Sequence, residues 1–234
     1  MDLAIVIFLL GGLFLGWSLG SNDAANVFGT AVGTRMIRFK TAAIVCSLFI
    51  ILGAVISGSG TTETLGKLGA INALPGAFAA CVAAGLSVYI MTKFGLPVST
   101  TQAIVGAIVG WNLYTGSSTN IKVLLTILST WILCPIITAL IAMLFFIMTK
   151  KLLKNTTWHI LRLDAYTRTA LLIAGAFGAY SLGANNIANV MGVFVPIAPF
   201  ADIQLGSFLT FSSKEQLFLL GGIAISVGVF TYSK

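Results

Sequence analysis

Gly12–Val32 reads GLFLGWSLGSNDAANVFGTAV, and Gly175–Val195 reads GAFGAYSLGANNIANVMGVFV. Aligned without a gap, about half the positions are identical: Gly12/Gly175, Phe14/Phe177, Ser18/Ser181, Leu19/Leu182, Gly20/Gly183, Asn22/Asn185, Ala25/Ala188, Asn26/Asn189, Val27/Val190, Gly29/Gly192 and Val32/Val195. Apolar segments match by chance, but chance rarely aligns two asparagines and several glycines together, so the pair reads as an internal repeat. Each copy is an apolar helix, a Gly-Asn step, then a second short apolar stretch. The first stays apolar from residue 3 to Gly33. At about 1.5 Å per residue that is about 45 Å of helix, longer than a hydrocarbon core of about 30 Å. The run must break, tilt or fold back, and Gly20-Ser21-Asn22-Asp23 is the natural place for a break. Interrupted helices at matching positions of two repeats point to a transporter's midplane site.

Composition sets the solvent. Hydrophobic residues make up 58% of the 234 and charged residues 8%, against about 25% charged in soluble domains; mean hydropathy is +1.03. Such a chain cannot cover a water-facing surface, so the lipid bilayer is its environment. Runs at 3–20, 41–57, 75–94, 121–148, 167–183 and 216–232 approach the length needed to span. The first begins Met1-Asp2 without a basic n-region and reads as a retained helix rather than a signal peptide.

The net charge of +7 does not imply nucleic acid. The basic residues cluster between apolar runs, at Arg35, Arg38 and Lys40 and again at Lys150, Lys151, Lys154, Arg162 and Arg168, which the positive-inside rule explains. Cys46, Cys81 and Cys134 lie inside apolar runs without metal-ligand spacing, and His159 is the only histidine. A histidine-based triad or multi-histidine metal site is excluded, and no nucleophile–base pair suggests an enzyme.

Residues 75–112 form an apolar run, then GLPVSTTQ, then a short apolar run from Ala103 to Trp111. If 75–94 crossed alone, the basic loop 150–168 would lie opposite loop 35–40. An in-and-out path puts both loops on the cytoplasmic side and inverts the second copy of the repeat relative to the first. Two full crossings give the same parity. The second run, about 15 Å as helix, favours a re-entrant hairpin with Pro97 to Thr101 at its tip.

Asp23 is the sharpest single signal, because an ionisable residue so deep in an apolar run is costly. Asn22 and Asn26 lie four apart and Asp23 and Asn26 three apart, so one helical face can present carboxylate and amide oxygens suited to Na⁺. The carboxylate could instead take up a proton. The competing reading is a helix N-cap at Asn22 or Asp23 without a transport role. In the hairpin, Ser99 and Gln102 make a capping-box pattern ahead of an apolar helix. That helix would aim its free N–H groups inward, and Ser99, Thr100, Thr101 and Gln102 around them suit a tetrahedral oxyanion. An ordinary capped transmembrane helix is the alternative.

GSNDAANVFGTAVG (Gly20–Gly33), GLPVSTTQAIVGAIVG (Gly95–Gly110) and SLGANNIANVMG (Ser181–Gly192) resemble the signatures of the inorganic phosphate transporter (PiT) family. The resemblance covers nearly the whole chain. It implies an all-α integral membrane fold, an inverted-repeat transporter with broken helices and a re-entrant helical hairpin, working by alternating access on a Na⁺ or H⁺ gradient. It also implies that Asp23 and Asn26 bind the coupling cation, with Asn22, Asn185 and Asn186 contributing. Ser99, Thr100, Thr101 and Gln102 would hold phosphate, together with Asn26 and Asn189. Where the family carries Asp in its second motif, this chain has Asn186, one negative charge fewer.

Residues 1–154 are assigned to the first repeat and 155–234 to the start of the second. The repeat offset is 163, so a second hairpin is due near position 260, beyond Lys234. The expectation is therefore a fragment or split gene product, with a homo-oligomer, or another polypeptide that supplies that hairpin, as its partner. The chain is expected in the plasma membrane, without cofactors other than the transported cation. Rival readings are a sulfate permease of the same architecture, a passive channel, and a non-transporting membrane subunit.

Overall fold

The structure, a computed structural model, describes residues 3–60, 62, 74–96, 98–154, 159–197, 200–205 and 209–232. Pro97 lies outside them. Seven helices follow one another among the described residues: α1 (Leu3–Gly33), α2 (Phe39–Ser57), α3 (Leu74–Lys93), α4 (Thr100–Thr115), α5 (Ile121–Lys154), α6 (Ile160–Met191) and α7 (Ser213–Tyr232). All except α4 are long and apolar enough to cross a membrane. A 3-10 helix (Gly192–Ile197) continues α6. Next comes a hairpin of β1 (Ile203–Leu205) and β2 (Leu209–Phe211), antiparallel with Gln204 opposite Thr210. This hairpin was not anticipated. After it, Ser212 and Glu215 close a capping box: the Ser212 N–H donates to Glu215 Oε2 at 2.7 Å and the Glu215 N–H to Ser212 Oγ at 3.3 Å.

The break expected at Gly20–Asp23 does not occur, because α1 runs unbroken from Leu3 to Gly33. The second copy is also continuous through its Gly-Asn step and turns irregular only at Gly192. A helix of this length is accommodated by tilt or by protrusion from the hydrocarbon. The glycines do a different job. A Cβ on Gly20 would lie 1.9 Å from the Ile225 carbonyl oxygen of α7, and one on Gly228 would lie 2.1 Å from the Trp17 carbonyl oxygen of α1. In the other copy, a Cβ on Gly183 would lie 2.1 Å from Ile50 O and one on Gly53 would lie 2.0 Å from Tyr180 O. Neither backbone could approach so closely with a side chain in the way.

The two seams correspond residue for residue. Gly20 and Trp17 become Gly183 and Tyr180 on adding 163, the offset of the repeat. Gly53 and Ile50 become Gly228 and Ile225 on adding 175. Polar contacts follow the same pattern: Trp17 Nε1 donates to Thr231 Oγ1 at 2.8 Å, and Tyr180 and Ser57 share a hydroxyl bond of 2.6 Å. The first helix of each copy thus packs on the second helix of the other. The core between these four helices contains Leu15, Leu19, Ile50, Ile187, Leu217 and Ile225, all fully buried.

The α3–α4 hairpin leans on α1. Its second arm, sixteen residues, extends beyond the expected 103–111 to a left-handed cap at Gly116, φ 69°. That makes about 24 Å rather than about 15 Å. Arg168 of α6 donates to the Met36 carbonyl in the α1–α2 turn, so the two basic loops lie at the same end of the molecule. The hairpin therefore returns the chain to the side it left, as the charge pattern required. No residue of α5 is buried among those described.

Candidate functional site

The hairpin tip faces α1 and α6 across a cavity of about 580 Å³. Val98, Ser99, Thr100 and Thr101 line it from the tip, Asp23 and Asn26 from α1, and Gly178, Ser181, Leu182, Asn185 and Asn186 from α6. Helical spacing builds each wall. Asp23 and Asn26 share a face at i, i+3, and Ser181 and Asn185 share one at i, i+4. Among the described residues Asp23 is the only carboxylate in this lining, and no basic side chain joins it.

Ser99 is the N-cap of α4: its backbone is extended, and its Oγ accepts from the Gln102 N–H at 3.3 Å. The Thr100 and Thr101 N–H groups precede any intrahelical acceptor, as at every helix start, and carry the positive end of the helix dipole. The Thr100 side chain is 1% exposed, and its Oγ1 has no hydrogen-bond partner among the described residues. A buried hydroxyl is normally satisfied; this one is shielded from the cavity that Thr100 helps to line.

Two asparagines hold the tip in place from opposite sides. Asn22 Nδ2 donates to the Val98 carbonyl at 2.8 Å and to Asp23 Oδ1 at 2.7 Å. Asn22 Oδ1 accepts from Thr92 Oγ1 at 3.3 Å. From α6, Asn189 Nδ2 donates to Thr101 Oγ1 and to Asn186 Oδ1, both at 2.8 Å.

Of the residues singled out in the sequence, Asp23, Asn26, Ser99, Thr100, Thr101, Asn185 and Asn186 line one cavity. Asn22, expected beside the cation, instead turns to the hairpin. Gln102, expected on phosphate, is exposed and outside the lining, contributing its backbone N–H to the cap. Asn189 is 2% exposed and lines a neighbouring cavity of about 300 Å³, with Thr126, Thr130 and Trp131 of α5. Thr92 was missed. It lies in an apolar helix, and its one hydroxyl proton is shared between Asn22 Oδ1 at 3.3 Å and Val88 O at 2.8 Å, the latter a contact any helical threonine can make, so no sequence signal marks it. Among the described residues no cluster of His, Cys, Asp and Glu could hold a transition metal.

Residues 19–234 match the model of the phosphate transporter family. A phosphate permease homologue of Thermococcus kodakarensis is 38% identical over 156 residues, which cover 62% of this chain and 38% of that protein. Inorganic phosphate transporter 2-1, chloroplastic, of Arabidopsis thaliana is 31% identical over 150 residues, 59% of this chain and 25% of that one. The chain thus matches less than two fifths of the length of these relatives. The fold is similar to that of a solved structure described as the sodium-dependent phosphate transporter, with TM-score 0.75 and 25% identity over 99% of this chain and 76% of that one. The hydroxyl-tipped hairpin, the single carboxylate and the paired asparagine helices have their setting in these matches: the chain is a multi-pass membrane protein and belongs to the phosphate transporter family.

Proposed function

We propose that this chain forms the cation- and phosphate-binding part of a secondary transporter of inorganic phosphate, coupled to Na⁺ and operating by alternating access. The observation that carries the reading is that the start of α4, at Ser99, Thr100 and Thr101, lines the same cavity as Asp23 and Asn26. Phosphate sits on Ser99, Thr100, Thr101 and the free N–H groups of α4, with Asn26 beside it and Asn189 orienting Thr101. Na⁺ sits on Asp23 and Asn26, with oxygens of Asn185 and Asn186 opposite. Asn22 and Thr92 position the tip rather than touch either ion. Residues 1–154 constitute the first repeat and 155–234 the beginning of the second. The basic loops face the cytoplasm across the cell membrane.

Coupling follows from electrostatics. A phosphate anion brought close to an ionised Asp23 is repelled, strongly so in a medium of low effective dielectric. A cation between them reverses the sign, so each ion raises the other's affinity by the same factor. A proton on Asp23 would remove the repulsion without adding an attraction, which makes Na⁺ the better coupling ion. The relatives and the family described above concern phosphate, and none of them favours sulfate. An oxygen acceptor such as Asp23 or Asn26 for a phosphate O–H would distinguish the two anions.

The test is uptake of labelled phosphate into proteoliposomes under imposed Na⁺ or pH gradients, with sulfate as competitor. Na⁺-driven uptake should disappear in Asp23→Ala with insertion unchanged. Gradient-independent flux, or full activity in Asp23→Ala, defeats the proposal.

A further inference from the structure

A third cavity, of about 300 Å³, has no part in the site above. It is lined by apolar side chains and glycines of α1, α2 and α7, with Phe28, Phe39 and Cys46 among them. Its geometry comes from how these helices diverge. Although α1 and α2 share a short turn, they touch little along their lengths, because α7 packs between them. The α1 wall is left open: a Cβ added at Gly29 or Gly33 would find nothing within 4 Å.

The turn closing one end of this cleft is strongly basic. It carries Arg35 and Arg38, with Lys40 in the first turn of α2, and all three are exposed. Residues 24–62 contain no acidic side chain. Asp164, which reaches the same rim through Arg168, is already paired with it at 2.7 Å. An apolar slot between membrane helices, bounded by unneutralised cations at the polar end, is complementary to one kind of molecule in a bilayer.

We propose that the α1–α2 cleft is a binding site for an anionic phospholipid. One acyl chain lies along Gly29, Gly33 and Phe39, and the headgroup phosphate is held by Arg35, Arg38 and Lys40. The apolar slot separates this from simple attraction of a basic loop to the membrane surface, because it requires the chain as well as the charge. It equally excludes free phosphate as the ligand, which would have no use for the slot.

The experiment uses the whole chain in nanodiscs of mixed phosphatidylglycerol and phosphatidylcholine, with a trace of either lipid carrying a photoactivatable acyl chain. Labelled positions are mapped by mass spectrometry, and thermal unfolding verifies the fold of each variant. The phosphatidylglycerol probe should label residues 24–46 at least fivefold more than the phosphatidylcholine probe, and excess inorganic phosphate should not reduce this. Gly29→Leu fills the slot without changing charge, and Arg35→Gln with Arg38→Gln removes charge without filling it; each should lower the labelling severalfold. Ala25→Leu, at an exposed lining position, provides the same reading should Gly29→Leu fail to fold. Equal labelling by the two lipids, or labelling unchanged when the slot is filled, overturns the site. So does labelling confined to the exposed helix α5, or a cleft that stays unlabelled because polypeptide covers it.

Discussion

Asn22 and Val98, seventy-six residues apart, are joined by a 2.8 Å hydrogen bond from the Asn22 amide to the Val98 carbonyl. The same amide nitrogen contacts Asp23 Oδ1. A change at the carboxylate is therefore felt at the hairpin tip through one side chain. Thr92→Val removes one support of that side chain without touching the cavity. It is expected to weaken the effect of Na⁺ on phosphate affinity by about tenfold, equivalent to about 1.4 kcal/mol, and Thr92→Ser should restore it. Phosphate titrations at two Na⁺ concentrations measure this, and an unchanged Na⁺ effect in Thr92→Val rules out the positioning role.

Thr100→Val separates ligand binding from structure. The hydroxyl has no partner to lose among the described residues, so thermal stability without phosphate should be unchanged or slightly higher. Phosphate affinity should fall by roughly tenfold or more, as expected when one hydrogen bond of about 1.5–3 kcal/mol to a charged group is deleted. Calorimetric titration beside a melting curve tests both halves. A loss of stability with affinity intact would make Thr100 a packing residue.

Asn186→Asp adds a second carboxylate at the position where the resemblance to the family implies one. Asn186 Oδ1 accepts from Asn189, and an aspartate oxygen can accept the same bond, so the geometry tolerates the change. A second negative charge in the cavity should tighten Na⁺ binding and weaken phosphate binding at low Na⁺, by Coulomb's law in each case. The readout is half-saturation by Na⁺ measured with and without phosphate. Shifts of both constants in the same direction would remove Asn186 from the neighbourhood of the ions.

Glycine substitutions should sort by their surroundings. Gly20→Ala and Gly183→Ala drive a methyl group into a backbone carbonyl and should destabilise by about 1–3 kcal/mol or more. Gly29→Ala meets nothing within 4 Å and should stabilise by roughly 0.5–1 kcal/mol through the helix preference of alanine. Thermal unfolding in detergent decides, and equal melting temperatures across the three would show that the seams are looser than described.

These glycines also show what the sequence could and could not convey. Their presence in both copies was visible, and so was the repeat they mark. The four-residue spacings Gly16/Gly20, Gly29/Gly33 and Gly106/Gly110 suggest close helix packing. Gly20 has it, whereas a Cβ on Gly29, Gly33, Gly106 or Gly110 would meet nothing within 4 Å, because only the partner backbone decides. The Ser99 cap was legible because capping is local. Asn22 was not, since its partners at Val98 and Thr92 lie more than sixty residues away. The second arm of the hairpin was read too short, because its apolar run stops at Trp111 although the helix continues to its Gly116 cap. The joint placement of the two basic loops followed correctly from charge alone.

The crossed seams bear on how the chain is made. Gly20 must wait for Ile225, and Gly53 for Tyr180, so although α1 can meet α3 early, both seams close only when most of the described chain has been synthesised. Contacts so distant along the polypeptide form slowly. During that wait the carboxylate of Asp23, part-way along α1, has the α3–α4 hairpin beside it but not yet the wall that α6 contributes.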